Sequence, residues 1–181
     1  MIFDPFKPYI PSDYQVKFAT EAWERREAAA LRRAVFCEEQ KIFEGDDRDA
    51  IDDVAIPIVA VSLMGVVAHQ VVGTVRIHEA EPGVWWGSRL AVCRRHRSVG
   101  PLGAALIRLA VSSANARGCR RFLANVQVQN GLLFRRMRWD KTGEIEIEGR
   151  PHFRMEADLS HYPPIVDAAT GFRQVPRKVA A

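Results

Sequence analysis

The order of apolar and polar positions predicts strands alternating with helices. Tyr14-Gln-Val-Lys-Phe alternates with period two and reads as a strand. Thr20 follows as an N-cap, with Glu21 and Glu24 in the first turn of a helix. On that helix Trp23, Ala30, Ala34 and Cys37 recur on one face with Leu31 and Val35 beside them, and arginines hold much of the other. Ile56 to Ala68 reads as an apolar strand or hairpin arm around Met64-Gly65, and Val71 to His78 as another strand. After the turn signal Glu81-Pro82-Gly83, Val84 to Val92 is a strand with Trp85 and Trp86 on opposite faces. Pro101 to Arg117 has helical spacing of Leu102, Leu106, Leu109 and Ser113 and stops at Gly118. Arg121 to Val128 is a strand, and Asn130 to Met137 a short helix capped by Asn130. Glu144 to Glu148 and His152 to Asp158 form a hairpin around Gly149-Arg150-Pro151.

This order predicts an α+β fold in three layers, with one mixed sheet of six to seven strands and helices on both faces. The expected organisation is an extended lead-in over 1–13, a single domain over 14–160 and a flexible basic tail over 161–181.

Composition narrows the function. At 181 residues, 48% hydrophobic and 27% charged, the chain is globular with room for a real core. No apolar run reaches the roughly 20 residues of a membrane span, and Met1-Ile-Phe-Asp-Pro-Phe lacks a signal-peptide layout. Cys37, Cys93 and Cys119 form neither a CxxC pair nor an even set, so a cytoplasmic setting is expected. The net charge of +4 is spread over scattered arginines, which favours an anionic small ligand over nucleic acid or a membrane.

The densest chemistry lies in Leu90-Ala-Val-Cys-Arg-Arg-His-Arg97-Ser-Val-Gly100-Pro-Leu-Gly103-Ala-Ala-Leu106. A strand runs through a glycine-bearing basic turn into a helix, whose first amides and dipole suit a phosphate or diphosphate. Pro101 cannot donate an amide but suits the first helical position.

Four motifs in this order resemble the GNAT superfamily of acyl-CoA-dependent N-acyltransferases. Leu31-Arg-Arg-Ala-Val-Phe-Cys-Glu-Glu39-Gln40, followed by Asp49 and Asp52, resembles the R-x-x-V-F-x-x-E-Q entry and acidic loop of one branch. Arg97-Ser-Val-Gly100 resembles the first half of Arg/Gln-x-x-Gly-x-Gly/Ala, but Leu102 holds the second small position and Gly103 follows. Either the turn is one residue longer, or the extra residue lies before Gly103. Val126 to Trp139 resembles the A-Q-x-x-A-x-x-F-Y-x-x-L-G-F segment, and Gly149-Arg-Pro-His152-x-x-Met155 the closing G-x-P-H-x-x-M. The whole also resembles a group of acetyltransferases associated with bacterial nitrilase gene clusters.

The resemblance implies acetyl-CoA as co-substrate, no metal, and direct transfer of the acetyl group to the amine of a small molecule in a ternary complex. It implies a cofactor site at Leu90, Ala91, Val92, Arg97, Ser98, Val99, Gly100, Leu102, Gly103, Ala104, Asn130 and Phe134, with the Val92 amide polarising the thioester. Phe134 stands where many relatives carry a tyrosine acid, and Arg138 where they carry a glycine. Strand 84–92 has no carboxylate, so the candidate bases are His152 and Glu39, with His78 and Glu79 behind them. Against these stand plainer readings. Glu39 is then an exposed helix-end charge, and His152, Arg154, Glu156 and Asp158 form a polar face paired with Glu144, Glu146 and Glu148. Asp46, Asp47, Asp49, Asp52 and Asp53 read as a solvated loop or a dock for a cationic acceptor. His96 is expected to point outward, away from Cys93. The alternative function is a non-catalytic acyl-CoA-binding regulator acting through a protein partner. A homodimer through the hairpin edge is expected.

Overall fold

In a computed structural model, residues 11, 13–98 and 101–175 are described. The strands are β1 (Asp13–Phe18), β2 (Ile56–Met64), β3 (Val67–Glu81), β4 (Val84–Val92), β5 (Arg121–Gln127), β6 (Trp139–Ile147), β7 (Arg150–Ala157) and β8 (Phe172–Gln174). The α-helices are α1 (Ala22–Arg33), α2 (Leu102–Asn115) and α3 (Gly131–Arg136); Ala34–Glu39 prolongs α1 as a π-helical turn. Among the described residues no helix is long and apolar enough to cross a membrane.

The strands form one sheet in the order β6-β7-β5-β4-β3-β2-β1-β8. β4 and β5 pair in parallel, and α2 makes the crossover that parallel pairing requires. The alternation of β2 divides the core. Ile58 and Ala60 face α2 in the larger cluster, with Leu102, Leu106 and Leu109. Val59 and Val61 face α1 on the other side, with Ala28 and Val71. The two helices therefore cover opposite faces, which yields the expected three layers. Gly73 of β3 sits beneath α2, where an added Cβ would come within 2.9 Å of Leu106 Cδ1, so its lack of a side chain sets the helix–sheet distance.

Several expectations are corrected. The sheet has eight strands, because part of the expected tail joins it: Tyr14 pairs with Gln174 and Val16 with Phe172. The intervening segment is docked by the Phe18 amide on the Ala168 carbonyl (2.8 Å) and by buried Tyr162. The N-cap of α1 is Glu21, whose capping box with Glu24 displaces Thr20 from that role. Asn130 precedes α3 without a side-chain cap bond.

The charge pairing expected across the hairpin does not form, because the register sets His152 opposite Ile145 and Arg154 opposite Gly143. Glu156 instead pairs with Arg121 of β5 at 2.8 Å. His96 points inward, 3% exposed, with its ring edge-on to Tyr14 at 6.0 Å. Val99, Gly100 and most of the 1–13 lead-in lie outside the described residues.

Candidate active site

β4 changes character halfway along. Its parallel register with β5 runs from Val84↔Arg121 to Gly87↔Ala124 and then ends. On the other side Arg76 pairs with Ser88 and Thr74 with Ala91, so Arg89 and Leu90 together oppose Val75. This is a β-bulge, which bends a strand and re-aims a side chain. Arg89 carries its backbone strain, with φ 56°.

A cavity of about 130 Å³ opens where β4 and β5 part. Phe36, Ile42 and Phe43 wall it on the α1 side, and Ile107 and Ala110 of α2 on the other. Its polar lining comprises Ser88, Arg89, Asn125, Gln127, Asn130 and His152.

His152 of β7 is buried at 6% exposure and faces Gln127 across the strand pair. Its Nδ1 lies 2.9 Å from the Arg150 carbonyl. A carbonyl only accepts, so Nδ1 is the donor, and the tautomer this contact selects carries its lone pair on Nε2. Gln127 is itself held, donating to Gln40 at 2.9 Å and accepting from Gln129 at 2.7 Å. Asn125, two residues earlier on β5, leaves a buried Oδ1 without a partner among the described residues. Such an orphan calls for a ligand or water.

Phe134 lines the cavity and packs edge-on to Trp139 at 5.0 Å. Trp139 donates its indole N–H to the Tyr162 hydroxyl (2.8 Å), which donates to the Met137 carbonyl (2.6 Å). Tyr162, the one tyrosine near this wall among the described residues, is thus engaged, and burial raises its pKa.

Two predicted site residues meet each other. Arg97 donates to Glu39 through Nη1 (2.5 Å) and Nη2 (3.0 Å), and through Nε to the Val92 carbonyl (2.9 Å). These bonds from Arg97 hold the Glu39 carboxyl below its ordinary pKa, which weakens it as a base. Neither residue lines the cavity, and Val92 does not either; the cavity meets β4 at Gly87 to Leu90. Ala91 is buried against Val35 and Phe36.

Ser98 follows the short 3₁₀ turn Arg94–His96, and α2 starts beyond Pro101 with no side-chain cap. Its first-turn amides are therefore available to an anion. Leu102 is buried, so its share in such a site is its amide alone. A Cβ on Gly103 would meet nothing within 4 Å, which leaves open space over the turn; Ala104 is half-buried beside it.

The other candidates lie outside the cavity. Glu79 accepts from the Gly83 amide at 2.7 Å and holds the β3–β4 turn. Burial and the nearby Arg76 lower the pKa of His78, and its Nδ1 has no partner among the described residues.

The acidic loop is an ion-pair cluster rather than a solvated segment. Arg32 meets Asp47 (2.7 Å) and Asp52 (2.6 Å), Arg76 meets Asp49 and Asp52 (both 2.7 Å), and Arg89 meets Asp47 (3.0 Å) and Asp49 (3.1 Å). Burial opposes ionisation of Asp52, but hydrogen bonds from Arg32 and Arg76 hold its pKa far below the ordinary carboxylate range. Those from Arg76 lower Asp49 as well. Asp47, Asp49 and Asp52 are thus committed to arginines, whereas Asp46 and Asp53 stay exposed with looser contacts to Arg33 (3.6 Å) and Arg48 (3.4 Å). Arg89, Ser88 and Asn125 escape sequence reasoning, since nothing local marks a bulge or an orphaned amide.

Residues 21–132 match the acetyltransferase (GNAT) family. No curated protein matches. Among solved structures, a candidate N-acetyltransferase from Lactobacillus plantarum superposes with TM-score 0.70 at 23% identity, covering 81% of this chain and 98% of that one. An acyl-CoA N-acyltransferase from Pseudomonas aeruginosa gives 0.62 at 17%, covering 80% and 98%. BjaI, a CoA-dependent acyl-homoserine lactone synthase solved with SAM and isopentyl-CoA, gives 0.62 at 18%, covering 81% and 83%.

Proposed function

The chain belongs to the acetyltransferase (GNAT) family and is an acyl-CoA-dependent acyltransferase; on that premise we propose that it acetylates a small-molecule amine by direct attack in a ternary complex, with His152 as the proton acceptor. The observation that carries this reading is the imidazole of His152, buried in the cavity wall with Nδ1 tied to the Arg150 carbonyl and Nε2 left as the basic atom.

Bound acetyl-CoA supplies the thioester. The chain's residues do the rest. The first-turn amides at Leu102, Gly103 and Ala104, with Ser98 before them, would hold the diphosphate charge; Val99 and Gly100, the other residues expected there, lie outside the described residues. Arg97 adds positive charge there while fastening the turn to Glu39. Leu90 presents the parted edge of β4 to the pantetheine arm, with Asn130 and Phe134 also lining the cavity, while Ala91 and Val92 lie outside its lining. The bulge at Arg89–Leu90 lies nearer the cavity than Val92 and is the better source of an amide to polarise the thioester carbonyl. His152 Nε2 removes the amine proton, directly or through water. Phe134 carries no ionisable hydrogen, so no side-chain acid is offered at that position.

Three free cysteines suit a cytoplasmic setting, and the open edge of β6 suits pairing into a homodimer.

His152→Ala lowers kcat by about 10²- to 10⁴-fold, the usual contribution of a general base, while acetyl-CoA affinity by calorimetry is kept. Undiminished turnover in that variant overturns the role of His152.

A further inference from the structure

The charge in the cavity wall bears on the acceptor. Among the described residues lining the cavity there is no aspartate or glutamate, and Arg89 is the one charged side chain. The nearby acids are committed: Asp47, Asp49 and Asp52 to the three arginines, Glu39 to Arg97. Inside this cavity a polycationic acceptor meets no carboxylate; Glu38, Glu44, Asp46 and Glu148 line the adjoining pocket that shares Ile42 and Phe43.

Arg89 differs from its two companions in the cluster. Arg76 is saturated, donating through Nε to Ser88 Oγ (2.9 Å) and through both terminal nitrogens to Asp49 (2.7 and 2.8 Å). Arg32 likewise donates from Nε, Nη1 and Nη2 to Asp47 and Asp52. Arg89 uses Nε and Nη2 on Asp47 and Asp49, while its Nη1 has no partner among the described residues. The bulge and its φ of 56° place this residue at the cavity, and its guanidinium lies 4.3 Å from the Phe43 ring centroid, another lining residue. The side chain is 17% exposed, so water screens it weakly. A guanidinium held through Nε and Nη2, on a residue that lines a part-apolar cavity, is suited to receive an oxyanion at Nη1.

We propose that Arg89 anchors the acceptor through Nη1 by binding a carboxylate, so that the acceptor is an amino acid or a similar amine-bearing carboxylate. The proposal rests on the acyl transfer proposed above and adds the acceptor's chemical class. The orphaned Asn125 Oδ1 supplies a second contact by accepting an N–H of the same molecule. The cluster then serves the site by fixing Arg89 while leaving one corner free.

The test is an acceptor panel with the unmodified protein, following CoA release with a thiol reagent. Amino acids are paired with their amides and their decarboxylated amines. The carboxylate member of each pair is expected to have about 100-fold higher kcat/KM, the scale of one hydrogen bond between charged groups. Arg89→Gln is expected to erase that preference mainly by raising KM, with acetyl-CoA affinity unchanged by calorimetry; Arg89→Lys keeps part of it. If Arg89→Gln fails to fold, the panel and the lysine variant still decide. Equal rates within pairs, or a preference for the decarboxylated amines, overturn the carboxylate anchor and leave amine acetylation standing. Acetyl-CoA binding with no amine turned over overturns the proposed function itself.

Discussion

The two halves of β4 share one strand and do opposite work. From Val84 to Gly87 the strand is paired on both sides, and Trp85 is buried between the sheet and α2. From Ser88 onward it bulges against β3, parts from β5 and exposes its polar and backbone groups to a cavity. The first half spends its hydrogen bonds and apolar surface on the fold. The second half keeps its pairing with β3 on either side of the bulge but leaves its β5-facing edge unpaired, so that edge remains for ligands. Pairing with β5 stops at Ala124, and the neighbouring side chains Asn125 and His152 line the opening created there.

This contrast can be broken from either end. The largest effect belongs to the paired half. Trp85→Ala removes a large core side chain and is expected to cost about 3–5 kcal/mol, read by denaturant unfolding. Leu90→Ala, in the parted half, is expected to cost far less and to weaken acetyl-CoA binding. A large stability loss at Leu90 would show that both halves serve the core alike.

An intermediate effect is expected from acid. Asp49 and Asp52 have folded-state pKa values below the ordinary carboxylate range, so the unfolded chain binds more protons. The stability they contribute is present above the unfolded carboxylate value of about 4 and lost as pH falls through their folded values. Thermal midpoints measured from pH 7 down to pH 3 should fall, and Asp52→Asn should flatten the decline. A curve unchanged by that substitution would remove the cluster from the acid response.

The smallest effect separates fold from binding in the turn after β4. Gly103 lies in the first turn of α2 with open space around it. Gly103→Ala should raise stability by about 0.5–1 kcal/mol through lower backbone entropy in the unfolded chain. The added methyl group fills the space above the turn, so acetyl-CoA affinity should fall in the same variant. A rise in both would place the diphosphate elsewhere.

Much of the architecture was legible in the chain's patterning. The period-two run of β1, the strand over Arg121–Gln127, and the helical spacing of Leu102, Leu106 and Leu109 all appear in the structure. β8 was not legible, because three residues without alternation carry no strand signal and pair only where β1 offers an edge. The sense of His152 was ambiguous for a similar reason. On an alternating hairpin it reads as one more polar side chain, and only the placement of β7 beside β5 buries it.

The local sequence thus determined which segments become strands and helices, where the glycine-bearing turn falls, and that its chemistry suits an anion. These depend on periodicity, caps and backbone freedom, all written within a few residues. The tertiary structure alone decided that three aspartates of the acidic loop enter an ion-pair cluster, that Glu39 meets Arg97 across 58 positions, and that Arg89 keeps one corner of its guanidinium free. Those outcomes depend on distances between side chains far apart in sequence. Such distances exist only once the sheet order and the β4 bulge are in place.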